Sequence, residues 1–156
     1  MAENCRYELQ LNEACRLIAE AVGHANYKLV YQSRSGPPQQ PWLEPDVCDY
    51  LEQEHAAGGV QDVILLPLGF VSDHMEVVYD LDTEAKQLCE RLGVGFQRAP
   101  TVGTHPKFVR MLRELIQERI SGASVRPALG QLGPSHDVCP ADCCTYTPRR
   151  PPAQHG

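Results

Sequence analysis

A column of acidic side chains follows the longest apolar stretch of the sequence. Glu76, Asp80 and Glu84 recur every four residues, with Asp73 and His74 just before them. On a helix, this spacing places the three carboxylates along one face. Like charges at that spacing repel each other, so the carboxylates are either solvated or used to bind a cation. Solvation is the default for such a column, and cation binding needs support from other residues.

Thiols form the second group of reactive side chains. The chain has seven cysteines, and Cys139, Cys143 and Cys144 lie within six residues near its C-terminus. Three thiols so close together are candidate metal ligands, and they need an account separate from the others. The remaining four cysteines are spread through the body of the chain, where they are expected to be small buried hydrophobic residues of a cytoplasmic protein.

Composition and charge exclude several classes of function. The chain has 156 residues and a formal net charge of -6, and it lacks the basic stripe of a nucleic-acid-binding surface. The longest apolar run, from Val63 to Val71, is interrupted by Pro67 and is about half of the ~20 residues that a membrane helix needs. No transmembrane segment is therefore predicted. The N-terminus has no apolar stretch of the signal-peptide type, which predicts a cytoplasmic location.

The acidic column needs a fold to position it, and the apolar periodicity predicts alternating helices and strands. Helices are expected from Tyr7 to Val22, from a cap at Asp46 to Gly58, from about Glu76 to Leu92, and from a cap at Thr104 to Ser121. Strands are expected over Tyr27 to Gln32, Val60 to Leu66, and Val94 to Arg98. The proline-rich segment from Ser33 to Pro45 is expected to be a stiff loop.

Apolar faces indicate how these elements should pack. In the acidic helix the inward-facing residues are expected to be Val77, Val78, Leu81, Ala85, Leu88 and Leu92. In the last helix they are expected to be Phe108, Met111, Leu112, Leu115, Ile116 and Ile120. The strand from Val60 to Leu66 is apolar throughout after Asp62, which is typical of a strand covered by helices on both faces.

Strands separated by helices predict an α/β fold with an open parallel sheet flanked by helices. Ligands bind beyond the carboxyl ends of the strands in such sheets, so Gln32, Ser33 and Arg34 should share one rim with the acidic helix. Residues 1–122 are expected to form this domain. Residues 123–156 are rich in proline, glycine and cysteine and are expected to form an irregular tail.

Several motifs, in order along the chain, resemble those of ferrochelatases. They are Tyr31-Gln32-Ser33-Arg34-Ser35-Gly36-Pro37, Pro41-Trp42-Leu43, and Gly69-Phe70-Val71-Ser72-Asp73-His74-Met75-Glu76 followed by Tyr79-Asp80-Leu81-Asp82. The resemblance covers roughly residues 3 to 121. The variant Gln32-Ser33-Arg34-Ser35-Gly36-Pro37-Pro38-Gln39 is most similar to the actinobacterial, coproporphyrin-type branch of the family.

The resemblance implies one half of a two-domain class II chelatase fold, with the first strand of that half missing. It also implies insertion of ferrous iron into a porphyrin, either coproporphyrin III or protoporphyrin IX, without an organic cofactor. This chain would supply the C-terminal half, and its partner would be the missing N-terminal half of the same enzyme. The family's essential histidine precedes the part that matches, so no histidine of this sequence inherits its role.

Residue roles follow from the same resemblance. Glu76 matches the catalytic glutamate at the porphyrin, and His74 and Asp73 extend its network. Glu76, Asp80 and Glu84 become a metal-binding ladder from solvent to the ring. Carboxylate oxygens bind a divalent metal less tightly than thiolates do, and a carboxylate near the ring can accept pyrrole protons. The residues that match porphyrin-binding positions are Tyr31, Gln32, Ser33, Arg34 and Phe70.

The thiols of the tail are similar to the cluster ligands of bacterial ferrochelatases. The resemblance implies a two-iron two-sulfur cluster on Cys139, Cys143 and Cys144, with its fourth ligand elsewhere in the complete enzyme. Zinc ranks second as an occupant of these thiols, because no nearby histidine has the spacing of a zinc finger.

Two other functions compete with that of a ferrochelatase half. The chain could self-associate like the half-size class II chelatases, which build a cleft from two copies, although the absent histidine argues against this. It could instead be a non-catalytic module that binds haem or a metal. A missing first strand would expose a sheet edge and an apolar helix face, which predicts poor solubility of the isolated chain.

Overall fold

The computed structural model describes residues 5–34 and 42–143. Along the chain its elements are α1 (Tyr7–Val22), α2 (Val47–Ala56), β1 (Asp62–Leu65), a π-helix (Val77–Ala85), α3 (Lys86–Leu92), β2 (Gly95–Arg98) and α4 (Pro106–Ser121). The predicted helices are therefore present, and two of the three predicted strands are present in shorter form. From residue 123 to residue 143 the chain contains neither helix nor strand, as expected for an irregular tail.

Strands β1 and β2 form a parallel sheet in which Asp62 pairs with Gly95 and Leu65 pairs with Arg98. The predicted α/β class with an open parallel sheet is thus confirmed, but the predicted third strand over Tyr27 to Gln32 is wrong. In the described residues Tyr31 forms only an isolated bridge with Asp46. Its N–H donates to Pro45 at 2.9 Å, and its carbonyl accepts from Val47 at 2.8 Å. The backbone of this segment therefore pairs with the entry to α2 rather than with β1.

The hydrophobic core lies on one side of the sheet. Its buried members are Val47, Leu51, Leu65, Val77, Leu81, Ala85, Leu88, Cys89 and Val94. The expectation that helices would cover both faces of β1 is wrong, since Ile64 is 75% exposed. Helices α1 and α4 contribute no fully buried residue to this core. Helix α3 packs against the sheet at β2, and α2 packs against α3 and the π-helix. In the described residues the other face of the sheet stays open.

The helix that carries the acidic column begins at Met75, and from Val77 to Ala85 it is a π-helix rather than the predicted α-helix. A π-helix closes its hydrogen bonds from i to i+5, so it takes more residues per turn. Its buried residues accordingly recur every four positions, at Val77, Leu81 and Ala85. Val78, predicted to face inward, is exposed. The difference arises because the wider turn rotates this residue away from the core.

Helix ends agree with the sequence prediction in part. The Asp46 carboxylate accepts a hydrogen bond from the Cys48 N–H at 2.8 Å, as expected for the cap of α2. The predicted cap of α4 at Thr104 is wrong, because His105 takes that position and its Nδ1 accepts from the Lys107 N–H at 3.3 Å. Pro106 then lies in the first helical turn, where the backbone N–H that proline lacks would have no partner within the helix.

The apolar face predicted for α4 exists but is not packed. Its residues that are exposed in the described structure are Met111, Leu112, Leu115, Ile116 and Ile120. Only Phe108, among the residues predicted to face inward, is half-buried. Within the described part of the chain, every helix is too short or too polar to span a bilayer.

Candidate functional site

The acidic column lies beyond the carboxyl ends of the two strands. Leu65 and Arg98 form the last pair of the sheet, and the chain leaves β1 through a loop that leads into the acidic helix. Asp80 is half-buried, whereas Glu76 and Glu84 are exposed. This is the position where open parallel sheets bind ligands, as the sequence analysis expected.

A hydrogen bond links the column to the loop that follows Tyr31. The Ser33 hydroxyl donates to the Asp80 carboxylate, although 47 residues separate the two positions. Ser33 has a φ of 60°, a left-handed conformation that a residue with a Cβ seldom adopts. The tertiary structure therefore holds this serine in a conformation that brings its hydroxyl to the column.

The same two segments line a cleft of about 490 Å³. Among its lining residues are Gln32, Ser33, Arg34, Asp80 and Glu84. Five of the residues singled out in the sequence thus share one concave surface, whose lining also includes Asp46, Glu52 and Arg91. Glu76 does not line this cleft and lies one step nearer the start of the helix.

Tyr31 has a different environment from its three neighbours in the motif. Burial against α1, and then the nearby Glu8 carboxylate, raise the pKa of its hydroxyl above the usual range. Its backbone also holds the entry to α2 through the bridge to Asp46. Tyr31 consequently anchors the loop to the fold, whereas Gln32, Ser33 and Arg34 line the cleft.

His74 and Phe70 are in contact just before the acidic helix. Their ring centroids are 4.6 Å apart, and the rings meet edge to face at an interplanar angle of 76°. The His74 carbonyl accepts from the Val78 N–H at 3.0 Å, which ties the residue to the first turn of the helix. Packing therefore restricts the imidazole of the half-buried His74 while leaving part of it accessible.

Arg98 is a site residue that the sequence analysis missed. Its guanidinium donates from Nη2 to Asp82 at 2.9 Å and from Nη1 to Asp73 at 3.0 Å. The hydrogen bond to Asp82 raises the pKa of Arg98, whereas partial burial of the guanidinium lowers it. The first effect is larger, so the pKa is above its usual value. The sequence signal for this pairing was a basic residue at the end of a predicted strand, because that strand end should lie close to the acidic segment.

Arg98 divides the carboxylates of this region into two groups. Asp73 and Asp82 are paired with it, whereas Glu76, Asp80 and Glu84 form no ion pair within the described residues. Unpaired carboxylates attract a divalent cation. In the described structure the three carboxylates do not belong to a group of ligand atoms close enough together to hold one ion.

The tail brings together a second group of candidate ligands. A ring nitrogen of His136 and the Sγ atoms of Cys139 and Cys143 all lie within 4.8 Å of one another. His136 was not predicted as a ligand, because its position relative to the cysteines does not have zinc-finger spacing. Cys144 lies outside the described residues. The predicted two-iron two-sulfur cluster therefore stays a prediction.

Comparison with known protein families gives the class to which this fold and site belong. The sequence model of the family described as "Ferrochelatase" matches residues 1–120. The chain therefore belongs to the ferrochelatase family.

Individual relatives agree with this assignment. The chain is 58% identical to the ferrochelatase of Rhodopirellula baltica, over 100% of its own length and 44% of the relative. It is 51% identical to the coproporphyrin III ferrochelatase of Streptomyces coelicolor, over 94% of the chain and 41% of that relative. For the coproporphyrin III ferrochelatase of Nocardia farcinica the identity is 47%, over 96% of the chain and 43% of the relative. The predicted similarity to coproporphyrin-type enzymes is confirmed, and the chain spans less than half the length of these relatives.

Proposed function

We propose that this chain supplies the acidic wall of the active-site cleft in a ferrochelatase that inserts ferrous iron into a porphyrin. The observation that carries the proposal is the hydrogen bond from Ser33 to Asp80, which joins the porphyrin-edge motif to the acidic column across one cleft. A solvated acidic face would have no need of such a contact. The remainder of the active site would come from the N-terminal half of the same enzyme.

Iron delivery is the role proposed for the column. Glu84 and Asp80 line the cleft, and Glu76 follows at the start of the helix. Carboxylate oxygens exchange a divalent cation readily, whereas thiolates would retain it. Ferrous iron, as the substrate, passes from Glu84 through Asp80 to Glu76 and then to the porphyrin nitrogens.

Proton removal must accompany iron insertion, because two pyrrole nitrogens each lose a proton as they bind the metal. Glu76 is the proposed acceptor, and His74 relays the proton toward solvent. The edge-to-face contact with Phe70 orients the His74 ring for this task. Asp73 is a positioning residue, since its pairing with Arg98 holds the loop that carries His74.

Porphyrin contacts are proposed for Phe70 and for Gln32, Ser33 and Arg34. Phe70 offers an apolar edge to the macrocycle, and the Arg34 guanidinium can pair with a propionate carboxylate. Coproporphyrin III is the proposed substrate, in keeping with the names of the Streptomyces and Nocardia relatives. Tyr31 acts indirectly by anchoring this loop.

Three features of the complete protein stay predictions. Residues 1–122 are proposed as the chelatase unit and residues 123–156 as a tail. A cytoplasmic location fits the thiols of Cys15, Cys48 and Cys89, which form no disulfide. A two-iron two-sulfur cluster on Cys139, Cys143 and Cys144 is implied by the resemblance, and no step of the proposed reaction depends on it.

A chimeric enzyme provides the test. This chain replaces the matching 44% of the Rhodopirellula baltica ferrochelatase, and the loss of porphyrin fluorescence on adding ferrous iron measures turnover. Glu76→Gln is expected to lower kcat by about 100-fold or more, because it removes a general base. Asp80→Asn and Glu84→Gln are expected chiefly to raise the KM for iron. Glu90→Gln, an exposed position outside the column, is the matched control.

The outcomes separate the competing functions. Unchanged turnover in the Glu76→Gln chimera would remove the proposal. Turnover by the isolated chain would favour the half-size, self-associating chelatase. A chimera that binds porphyrin and iron without metallating the ring would favour the non-catalytic binding module.

A further inference from the structure

Arg98 joins three segments at the carboxyl ends of the strands. Its Nε and Nη2 donate to the two oxygens of the Asp82 carboxylate, at 2.5 Å and 2.9 Å, in a forked pair with the π-helix. Its Nη1 donates to Asp73, in the loop after β1, at 3.0 Å and to the Ala99 carbonyl at 3.2 Å. One guanidinium therefore fixes the end of β2, the loop that carries His74 and the helix that carries the acidic column.

The two carboxylates lie beside neighbouring nitrogens of this guanidinium. Asp73 accepts from Nη1 and Asp82 accepts from Nη2, and both nitrogens are bound to the same carbon atom. The two negative charges thus converge on the position that the arginine fills. Converging carboxylate oxygens are also what a hard divalent cation binds. The guanidinium therefore occupies the place that such an ion would otherwise take.

Access from solvent favours the carboxylates over the arginine. The side chain of Arg98 is 16% exposed, whereas those of Asp73 and Asp82 are 43% and 33% exposed. A cation in solution would reach these two carboxylates if the arginine did not neutralise them. Arginine suits this task, because it stays protonated at physiological pH and its planar fork matches carboxylate geometry.

Their positions would make the two carboxylates competitors of the column. Asp82 lies between Asp80 and Glu84 in the π-helix. Asp73 precedes Glu76 by three residues. A column that hands ferrous iron on works only if no neighbouring site holds the ion more firmly, and a free pair of carboxylates would be such a site.

We propose that Arg98 prevents Asp73 and Asp82 from binding ferrous iron and so confines the ion to the acidic column. The inference rests on the proposed function of the column and adds a residue that contacts neither the iron nor the porphyrin. Arg98 is thus a positioning residue, which acts through two carboxylates. A role in folding alone leads to the opposite expectation, since a loosened acidic wall would bind a cation no better than the original chain.

Manganese binding to the complete 156-residue chain tests this role. Mn²⁺ is the probe because it prefers oxygen ligands, and the electron paramagnetic resonance signal of the free ion measures its binding. Arg98→Gln is expected to bind Mn²⁺ about tenfold more tightly, because it frees two neighbouring carboxylates. The triple variant with Arg98→Gln, Asp73→Asn and Asp82→Asn should return to the affinity of the original chain. Arg110→Gln, an exposed position of α4, changes the net charge equally and should alter the affinity by less than about twofold.

A second comparison keeps Arg98 in place and so stays informative if Arg98→Gln lowers the folded fraction of the chain. Asp82→Asn should weaken Mn²⁺ binding by less than about twofold, because its charge is already paired. Asp80→Asn should weaken it by at least about fivefold, because that carboxylate belongs to the column.

Kinetics in the chimeric enzyme distinguish this role from a structural one. Arg98→Gln should lower kcat by about tenfold without raising the KM for iron, because a cation held more firmly in the ground state leaves more slowly. A raised KM with an unchanged kcat would contradict the inference and would indicate a role in folding alone.

Three further results would overturn the inference. One is an Arg98→Gln variant that binds Mn²⁺ no more tightly than the original chain. Another is a triple variant that binds Mn²⁺ as tightly as Arg98→Gln, which would place the additional ion elsewhere. The third is an Asp82→Asn variant that loses as much affinity as Asp80→Asn. Failure of the chelatase proposal is a separate result, because unchanged turnover of the Glu76→Gln chimera would leave these Mn²⁺ affinities as they are.

Discussion

At the scale of single residues, pairing determines which acidic side chains are available to a cation. Arg98 pairs with the carboxylates of Asp73 and Asp82, while among the described residues Asp80 accepts a hydrogen bond from the neutral hydroxyl of Ser33. A hydroxyl donor orients a carboxylate without cancelling its charge. Asp80 can therefore be held in place and still attract a divalent ion, whereas Asp82 serves to bind Arg98.

Ser33 allows the orientation of Asp80 to be tested by stability. Ser33→Ala removes the hydrogen bond but keeps a Cβ at a φ of 60°, so we expect a loss of about 1 kcal/mol in the free energy of unfolding. Ser33→Gly removes the same hydrogen bond but relieves the left-handed strain, which is worth about 1 kcal/mol. The glycine variant should therefore lie close to the original chain. Urea unfolding measures the stability of both variants, from the shift of the midpoint at an unchanged m-value.

Two results would contradict this reading of Ser33. Equal midpoints for the two variants would mean that residue 33 is not left-handed. An alanine variant as stable as the original chain would mean that the hydroxyl has no favourable contact with Asp80.

The sequence predicted the carboxylates of the site better than it predicted their partners. Glu76, Asp80 and Glu84 stand out because a spacing of four is a local property of the chain. The pairing of Arg98 with Asp73 and Asp82 depends on two strands ending side by side, and residues 25 and 16 positions apart give no periodic signal. His136 was missed for a similar reason, since an irregular tail has no period from which a contact can be read.

At the scale of elements, the π-helix changes which side chains face the core and which face the cleft. Its buried row, Val77, Leu81 and Ala85, lies beside the carboxylate row, because each carboxylate immediately precedes a buried residue. Both rows repeat every four residues and so stay in step along the wide helix. The Thr83 hydroxyl donates to the Val78 carbonyl, five residues back, at 3.3 Å. π-Helical segments are frequent at functional sites, and this one carries the column.

Two adjacent valines test the register of this helix. Val77 is 0% exposed and Val78 is 40% exposed, although the apolar pattern predicted both to face inward. Val77→Ala should lower the free energy of unfolding by about 2 kcal/mol, because it leaves a cavity in the core. Val78→Ala should lower it by less than about 1 kcal/mol. Urea unfolding compares two substitutions of identical chemistry, and equal losses would contradict the observed register.

Element boundaries show what the sequence could and could not predict. The helices α1 and α4 and the cap at Asp46 follow from local apolar periodicity and capping chemistry, and each is confirmed. The strand expected at Tyr27 to Gln32 has suitable residues but pairs only at Tyr31, because pairing depends on which backbone lies nearby. Similarly, hydrogen-bond register distinguishes a π-helix from an α-helix, and an apolar pattern with spacings of three and four fits both.

At the scale of the whole molecule, the tail is tied to the body at two places. The Gln131 N–H donates to the Glu13 carboxylate of α1 at 2.6 Å, and the Arg126 and Asp137 pairs bind the tail to α4. Gly130 lies so close to Glu13 that a Cβ there would meet the carboxylate at 2.1 Å. The tail therefore follows a defined path across the two outer helices in the described residues.

The contact between Glu13 and the tail should respond to pH in a defined window. Hydrogen bonds from Arg16 and then from Gln131 lower the pKa of Glu13 from its usual 4.5 to about 2. The pKa of Glu13 is lower in the folded chain than in the unfolded chain. The ionised carboxylate therefore stabilises the contact fully above pH ~4.5, and this contribution is lost as the pH falls toward 2. The Gln131 amide proton shift, followed by NMR, should therefore titrate with a midpoint near 2.

Two variants show whether the acid titration of the Gln131 amide comes from Glu13 or from another carboxylate of α1. Glu13→Gln should abolish the acid titration of the Gln131 amide, whereas Glu20→Gln, which removes the other carboxylate paired with Arg16, should preserve it. A midpoint near 4.5 in the original chain would mean that neither Arg16 nor Gln131 holds the Glu13 carboxylate, and a Gln131 amide that does not titrate would mean that the tail does not contact Glu13.

The open apolar face of α4 is the other feature of the whole molecule that has a measurable consequence. Exposed contiguous apolar surface promotes association, and Ile120 is 82% exposed. We expect the isolated chain to self-associate as its concentration rises. Replacing Leu112 and Ile116 together by Gln should weaken this association by at least about tenfold, because burial of even one such side chain contributes roughly 1.5–3 kcal/mol.

Light scattering on a sizing column measures the association, and Arg110→Gln on the same helix is the control because it changes no apolar surface. Glutamine is at least as good a helix former as isoleucine, so a weaker association in the double variant would not arise from loss of the helix. A chain that stays monomeric at every concentration, or a double variant that associates as strongly as the original, would contradict the prediction. In the chimeric enzyme, the same double variant would also reveal whether the complete protein covers this face, since a covered face would make the substitution destabilising.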